Sequence, residues 1–323
     1  MHSENSTAIS KESGMASYKE LFKRNYGVLT DNEQERIRNI RILIIGDSGT
    51  GETIALELAR CGFEHLTIAG VDSYVLQDVN RQPLCFTDSA GKNKIGVISK
   101  ALKAINPCMN ITAVDRLPDE TGIDSLVSKA DIIIPAVDDL SYSVLIFRAA
   151  RRHAKPAVLC MPSGSMGWVC VIDATTPSIE DVFGIPRLGY KGLRAVMHTR
   201  AYRCAQYNFI TSGDWRVGWY WDYFLGNRQL ALICPVSWLA ASLAALETLK
   251  LASGRWEPVK APRCWYISKG SVRMGRFSLF IKYHREFGWK LFGNGCGRHF
   301  HRQTFWFWRK VFKFLKMRQE SLS

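Results

Sequence analysis

Apolar positions along this chain follow two periods. Short Ile/Val/Leu runs recur at Arg41–Gly46, Leu66–Gly70, Asn110–Asp115, Asp131–Val137, Ala157–Met161 and Trp168–Asp173, and these predict strands. Between them, helical spacing predicts helices over Glu52–Cys61, Lys94–Ile105, Gly122–Ser128 and Ser141–His153. Strands that are apolar on both faces and alternate with helices predict an α/β fold, a Rossmann-like, mainly parallel sheet with helices on both faces.

The flanks refine this picture. A short helix is expected from about Tyr18 to Lys23, and Thr30 followed by Glu33 has capping-box spacing for a second helix through Arg38. Residues 1–14 are polar and read as a disordered leader. Residues 177–230 hold aromatic clusters (Trp215, Trp219, Tyr220, Trp221, Tyr223) without clean periodicity, and read as a crossover insertion over the carboxyl edge of the sheet. A late helix is expected from Pro235 to Ala252, opened by a permitted first-turn proline and closed at Gly254. Arg263–Ser268 and Ser271–Arg276 read as a closing hairpin around Lys269-Gly270. The expected organisation is therefore a nucleotide-binding domain over 15–272 and a basic aromatic tail over 273–323.

Charge separates the two parts. The net charge is +14, yet residues 273–323 alone hold 12 Lys/Arg against 2 Asp/Glu, so the basic character belongs to the tail. The nine cysteines show no CxxC spacing, which argues against a structural zinc site or a disulfide framework and for reduced thiols in the cytoplasm. The N-terminus lacks the apolar core of a secretion signal, and Leu230 to Leu246 reads as a buried helix rather than a membrane span.

The candidate chemistry begins at Gly46-Asp47-Ser48-Gly49-Thr50-Gly51, between the first strand and the helix beginning near Glu52. A strand, a glycine turn and a helix N-terminus let backbone N–H groups approach a phosphate or ribose. Gly46, Ser48, Gly49 and Gly51 are the expected nucleotide contacts. Ser48 stands where a dinucleotide fingerprint has its second glycine, and Asp47 and Glu52 bring carboxylates to a site suited to phosphates. Further on come Asp72, then Asn80-Arg81-Gln82, then Lys94, and a strand ending in Asp138-Asp139.

The glycine loop, Asn80-Arg81-Gln82, the spaced Lys94, the strand-end Asp138 and the upstream Phe22-Lys23-Arg24-Asn25-Tyr26-Gly27 together resemble the ThiF/MoeB/HesA family, the adenylating fold of ubiquitin-activating enzymes. The resemblance covers Tyr18 to Ile185 and resumes at Pro235–Ser268. It implies Mg-ATP bound at the carboxyl ends of the strands, AMP transferred to a carboxylate, and pyrophosphate released. It implies that Arg81 and Lys94 hold phosphates, that Asp138 holds Mg²⁺ or positions the triphosphate, and that Asn80, Gln82 and Asp139 make polar contacts beside them. Cations fixed there would offset the charge that grows on the phosphate oxygens. It further implies that Arg24 reaches the neighbouring subunit's site, which makes the active unit a homodimer. The acyl partner would be a carrier protein, a peptide or a small carboxylate.

The chain also departs from the family pattern. Relatives read Asp-x-Asp after the second strand, the first aspartate accepting from the ribose, where this chain has Gly70-Val71-Asp72. Asp72 substitutes only if the strand continues unbroken to it. Asp139 replaces the usual asparagine. Plainer roles compete at each position: solvated surface cations for Arg81, Lys94 and Arg24, and a turn or helix cap for Asp138-Asp139. A catalytically degenerate scaffold, or the non-catalytic half of a heterodimer, is the alternative function. A nicotinamide dehydrogenase fits less well, because its fingerprint wants glycine at 48 and an acid where Gly70 stands.

Cys204, beside Arg203, is the expected thiol candidate if the acyl group passes to cysteine; Cys234 reads as core, and His198 is unassigned. In the tail, Trp308, Val311, Phe312 and Leu315 share one helical face, opposite Arg309, Lys310, Lys313 and Lys316. This amphipathic segment suits docking on the protein or its dimer partner, an anionic membrane surface, or nucleic acid.

Overall fold

The computed structural model describes residues 16–197, 215–277, 310 and 313–314. Cys204, His198 and all of the amphipathic tail segment except Lys310, Lys313 and Phe314 lie outside the described residues. The elements run α1 (Tyr18–Leu21), α2 (Asp31–Asn39), β1 (Arg41–Ile45), α3 (Gly49–Cys61), β2 (His65–Ala69), α4 (Lys94–Ile105), β3 (Asn110–Val114), α5 (Glu120–Lys129) and β4 (Ile132–Pro135). They continue with α6 (Leu140–Arg152), β5 (Ala157–Ser163), β6 (Met166–Ile172), α7 (Ile179–Phe183) and α8 (Tyr190–Met197). After the gap come α9 (Val217–Leu225), α10 (Cys234–Ser253), β7 (Arg263–Ser268) and β8 (Ser271–Arg276).

The eight strands form one sheet in the order β3-β2-β1-β4-β5-β6-β7-β8, parallel from β3 to β5 and antiparallel from β5 onward. The β1 run shows why it is parallel and central. Ile42 and Ile44 pack with α3, α4 and α10, while Leu43 and Ile45 face α5, α6 and α8, so both faces are buried and no polar alternation appears. The α/β expectation is met, with helices on both faces.

Local signals at the ends hold as well. Thr30 Oγ1 accepts from Glu33 N at 3.3 Å while Glu33 Oε2 accepts from Thr30 N at 2.7 Å, closing the capping box of α2. Lys269 (φ 48°) and Gly270 (φ 80°) make the tight turn between β7 and β8. β8 runs through Arg276 as the sheet's last strand, so the sheet extends past residue 272.

Chain order reverses between β1 and β4: β1 leads outward to β2 and β3 on one side, β4 to β5 on the other. The loops following β1 and β4 therefore diverge and open a crevice at the carboxyl ends of the strands. Among the described residues, no helix is long and apolar enough to cross a membrane.

Candidate active site

The crevice is a cavity of about 760 Å³ lined from the turn after β1, the loops after β2 and β4, the end of β5 and the start of α10. The glycine turn divides its labour. Ser48 and Gly49 line the cavity, whereas Gly46 and Gly51 do not. A Cβ on Gly46 (φ 116°) would lie 2.1 Å from Ala136 O, and one on Gly51 would lie 2.2 Å from Gly46 O. Those two glycines let β1, α3 and β4 approach closely, which is packing rather than ligand contact. The Ser48 hydroxyl donates to Ala136 O at 3.1 Å, fastening the turn to the end of β4. The helix starts at Gly49, three residues before the position its periodicity predicts, because packing space outweighs glycine's poor helix propensity.

The two carboxylates of this turn do not face the cavity. Glu52 is fully buried; Tyr74 Oη donates to it at 2.6 Å and Leu84 N at 2.5 Å, so it braces the loop that carries Arg81. Burial pushes its carboxyl up from the ordinary range, partly offset by those two bonds. Asp47, also buried, accepts from Asp72 N at 3.0 Å, and desolvation raises its carboxyl too. The repulsion expected from Asp47 and Glu52 in a phosphate site is thus removed by turning both under the loops.

The cationic centre is built around Asp78, which the sequence reading passed over. Asp78 Oδ2 lies 3.1 Å from Lys94 Nζ and Oδ1 lies 3.2 Å from Arg81 Nη2. Lys94 is nearly enclosed (side chain 5% exposed), with Asp72 at 3.8 Å and the Tyr74 ring centroid at 5.6 Å. A buried carboxylate between two cations holds both in place and partly neutralises them. Its signal in the sequence was its place three residues before Arg81, hidden because Asp78 sits in a short 3₁₀ turn (Leu76–Asn80).

The remaining expected residues divide. Asp138 lines the cavity and is exposed to it. The surrounding protein nevertheless desolvates its carboxyl and pushes it up from the ordinary range, against the pull of Arg81. Asp139 also lines the cavity, but its Oδ1 caps α6 by accepting from Ser141 N at 2.8 Å and Tyr142 N at 3.3 Å. β2 ends at Ala69, so Asp72 lies in a loop rather than on a continued strand face, although it reaches the cavity rim. Asn80 is turned out of the cavity and donates to Leu232 O at 3.2 Å, a tether rather than a ligand contact. Gln82 lines the cavity and is buried. Arg24 is exposed and is not among the cavity residues of its own chain.

Arg81 is held from behind as well, because Trp238 Nε1, in the first turns of α10, donates to its carbonyl at 2.7 Å. With Lys94, Arg81 and a backbone turn facing one switch-point cavity, the donors suit a polyphosphate. One cavity carboxylate, Asp138, suits Mg²⁺, which is commonly bound by one or two carboxylates together with substrate phosphates. Among the described residues no cluster of three or more His, Cys, Asp or Glu could hold a metal by itself.

Fold and cavity together define a Rossmann-like protein with a charged crevice at its topological switch point. The chain belongs to the ThiF family, which matches residues 22–286. HesA of Nostoc sp. (strain PCC 7120) is 30% identical over 227 residues, covering 70% of this chain and 76% of that protein. The sulfur carrier protein ThiS adenylyltransferase of Escherichia coli (strain K12) is 27% identical over 228 residues, covering 68% and 75%. Among solved structures, PaaA superposes with a TM-score of 0.61 at 20% identity, over 85% of this chain and 87% of PaaA. E. coli MccB with ATP gives 0.58 at 18% identity, over 76% and 66%.

Proposed function

We propose that this protein binds Mg-ATP in the switch-point cavity and adenylates a carboxylate. The observation that carries the reading is the convergence of Lys94 and Arg81 on one buried carboxylate, at the rim of a cavity that also presents Asp138 and the Gly49 turn. A carboxylate oxygen of the substrate attacks the α-phosphorus, a P–O bond forms, and the bond to the β-phosphate bridge breaks. Pyrophosphate leaves with the bridging electron pair, and an acyl-adenylate remains. Lys94 and Arg81 hold the phosphates while charge shifts toward the leaving group. Asp138 would hold Mg²⁺, which supplies charge neutralisation on the phosphate oxygens.

Relatives named as adenylyltransferases of sulfur carrier and molybdopterin-synthase proteins support the reaction class. The acyl partner is a carrier protein, a peptide or a small carboxylate. The active unit is a homodimer in which Arg24, exposed and not among the residues lining its own cavity, serves the neighbouring site. A titration of the full chain with Mg-ATP, repeated on Lys94→Ala, tests the reading. Saturable binding at millimolar ATP that weakens in the variant is the expected result. Absence of binding in the wild type would instead leave a non-catalytic scaffold or heterodimer half.

A further inference from the structure

A second cavity, of about 670 Å³, lies at the other end of the sheet. Its lining includes Ile172, the last residue of β6, which pairs with Ala157 at the start of β5. The nucleotide crevice reaches Ser163 at the far end of β5, about 20 Å away along the strand. The two cavities share no lining residue.

Four arginines line this second cavity, and three of them are matched one to one with carboxylates. Arg148 Nε lies 2.7 Å from Glu180 Oε1, Arg152 Nη2 lies 2.7 Å from Asp124 Oδ1, and Arg187 Nη2 lies 3.0 Å from Asp181 Oδ1. The remaining acid of the lining, Asp173, has Lys260 Nζ at 2.7 Å. Each of these acids is thus committed to another cation. Arg151 has no carboxylate partner among the described residues.

Arg151 is nevertheless fixed in place. Its Nη1 donates to Asp173 O at 3.1 Å and to Thr176 O at 3.0 Å, and its Nη2 donates to Ala174 O at 3.2 Å. These bonds fasten the guanidinium to the turn between β6 and α7 and use three of its five N–H groups. Nε–H and one Nη2–H have no partner among the described residues. Nε and Nη2 form the edge by which Arg41 grips Asp131, at 2.9 and 2.8 Å. Carbonyl anchors leave the charge of Arg151 uncompensated, so a preorganised guanidinium with that edge unspent suits a bidentate oxyanion.

The rest of the lining adds an apolar surface. Phe147, Ile172 and Ile179 are buried there, and Leu188 is half-buried beside them. The volume lies within the range of small-molecule sites, where apolar walls take the body of a ligand and a few polar groups orient it.

We propose that this cavity binds a small carboxylate with an apolar body. Its two oxygens take Nε and Nη2 of Arg151, and its body lies against Phe147, Ile172, Ile179 and Leu188. The site is separate from the nucleotide crevice and does not depend on adenylation.

Calorimetry of the full chain with hexanoate, hexanamide and inorganic phosphate tests the site. Hexanoate is expected to bind saturably and about tenfold tighter than hexanamide, which keeps the apolar body and loses the charge. It is also expected to bind tighter than phosphate, which keeps the charge and lacks the body. Arg151→Lys retains a cation without the fork and should lose most of the preference for hexanoate over hexanamide. Because Arg151 also staples a turn, Gly189→Glu is the second variant. A Cβ at Gly189, on the cavity lining, meets nothing within 4 Å. The new carboxylate therefore enters the rim with the three anchors of Arg151 intact, and should weaken hexanoate binding at least about tenfold at an unchanged melting temperature. Equal binding of hexanoate and hexanamide, no binding of hexanoate, or hexanoate binding that survives in Gly189→Glu overturns the site. Phosphate binding tighter than hexanoate would overturn the assignment to a carboxylate with an apolar body.

Discussion

The carboxylate of Asp47 fills the space beside Gly70: a Cβ placed on Gly70 would lie 2.3 Å from Asp47 Cγ and 2.4 Å from its Oδ2. The acid in the glycine turn thus takes the space that a side chain at Gly70, just after β2, would need. Gly70→Ala is expected to destabilise the protein by about 1–3 kcal/mol through this overlap. In an Asp47→Gly background the same change is expected to be much smaller. A double-mutant cycle by urea denaturation checks the coupling, and additive effects would refute it.

Asp47 also predicts a pH dependence. Burial raises its carboxyl above the unfolded value of 3.8. Its contribution to stability is thus full at acid pH below that value and is lost as pH rises through the raised folded value. Asp47→Asn keeps an oxygen for Asp72 N but cannot ionise. Relative to wild type it should gain stability between pH 4 and neutrality, about 1.4 kcal/mol for each unit by which burial raises the carboxyl. A difference that stays flat with pH would count against a desolvated carboxylate.

Asp78 is the counter-ion that a bound triphosphate would relieve. Asp78→Asn leaves Lys94, almost wholly enclosed, without its nearest negative partner, and should lower stability by about 3–5 kcal/mol. Saturating Mg-ATP should then raise the melting temperature of the variant more than that of wild type, because the phosphates restore the missing charge. Equal shifts in the two proteins would remove Asp78 from the nucleotide site.

Asp138 should set the acid limb of nucleotide use. Its carboxyl is raised by desolvation, so the fraction able to hold Mg²⁺ grows as pH climbs through a value above the ordinary carboxylate range. Pyrophosphate release is expected to rise over that interval in wild type and to be low and pH-flat in Asp138→Asn. An unchanged profile in the variant would assign the limb to another group.

Glu52 bears on stability first and, through the loop it braces, on binding. Replacing it with Ala orphans Tyr74 Oη and Leu84 N, so a loss of about 2–5 kcal/mol is expected, together with weaker nucleotide binding as the Arg81 loop loosens. Retained thermal stability would show that the loop is braced elsewhere.

Periodicity revealed most of the sheet. The continuous apolar runs of β1 and β4 can only suit strands covered on both faces, and the Thr30–Glu33 box announced α2 in two residues. What it could not reveal was spatial. Gly49 starts a helix against its own propensity because Ala136 and Gly46 crowd its neighbours. Ser163 and Met166 turn β5 directly into an antiparallel hairpin, a turn hidden between two separately predicted strands. At the site, the family resemblance pointed to Lys94 and Arg81, which the structure brings to one cavity, but not to Asp78, which lies between them. Asn80 and Gln82 flank Arg81 symmetrically in sequence, and only the fold shows that one faces away while the other faces the cavity. Which way a loop side chain turns depends on partners more than a hundred residues distant.

The tethers on the Arg81 loop have a consequence for synthesis. Asn80 and the Arg81 carbonyl are fastened to Leu232 and Trp238, 152 and 157 residues further along. A nascent chain that has emerged only through residue 197 already contains every strand of the parallel half and both cations. It lacks the anchors that hold the Arg81 loop from behind. The anchors of the proposed triphosphate site, like the helix that covers one face of β1, therefore arrive only with α10.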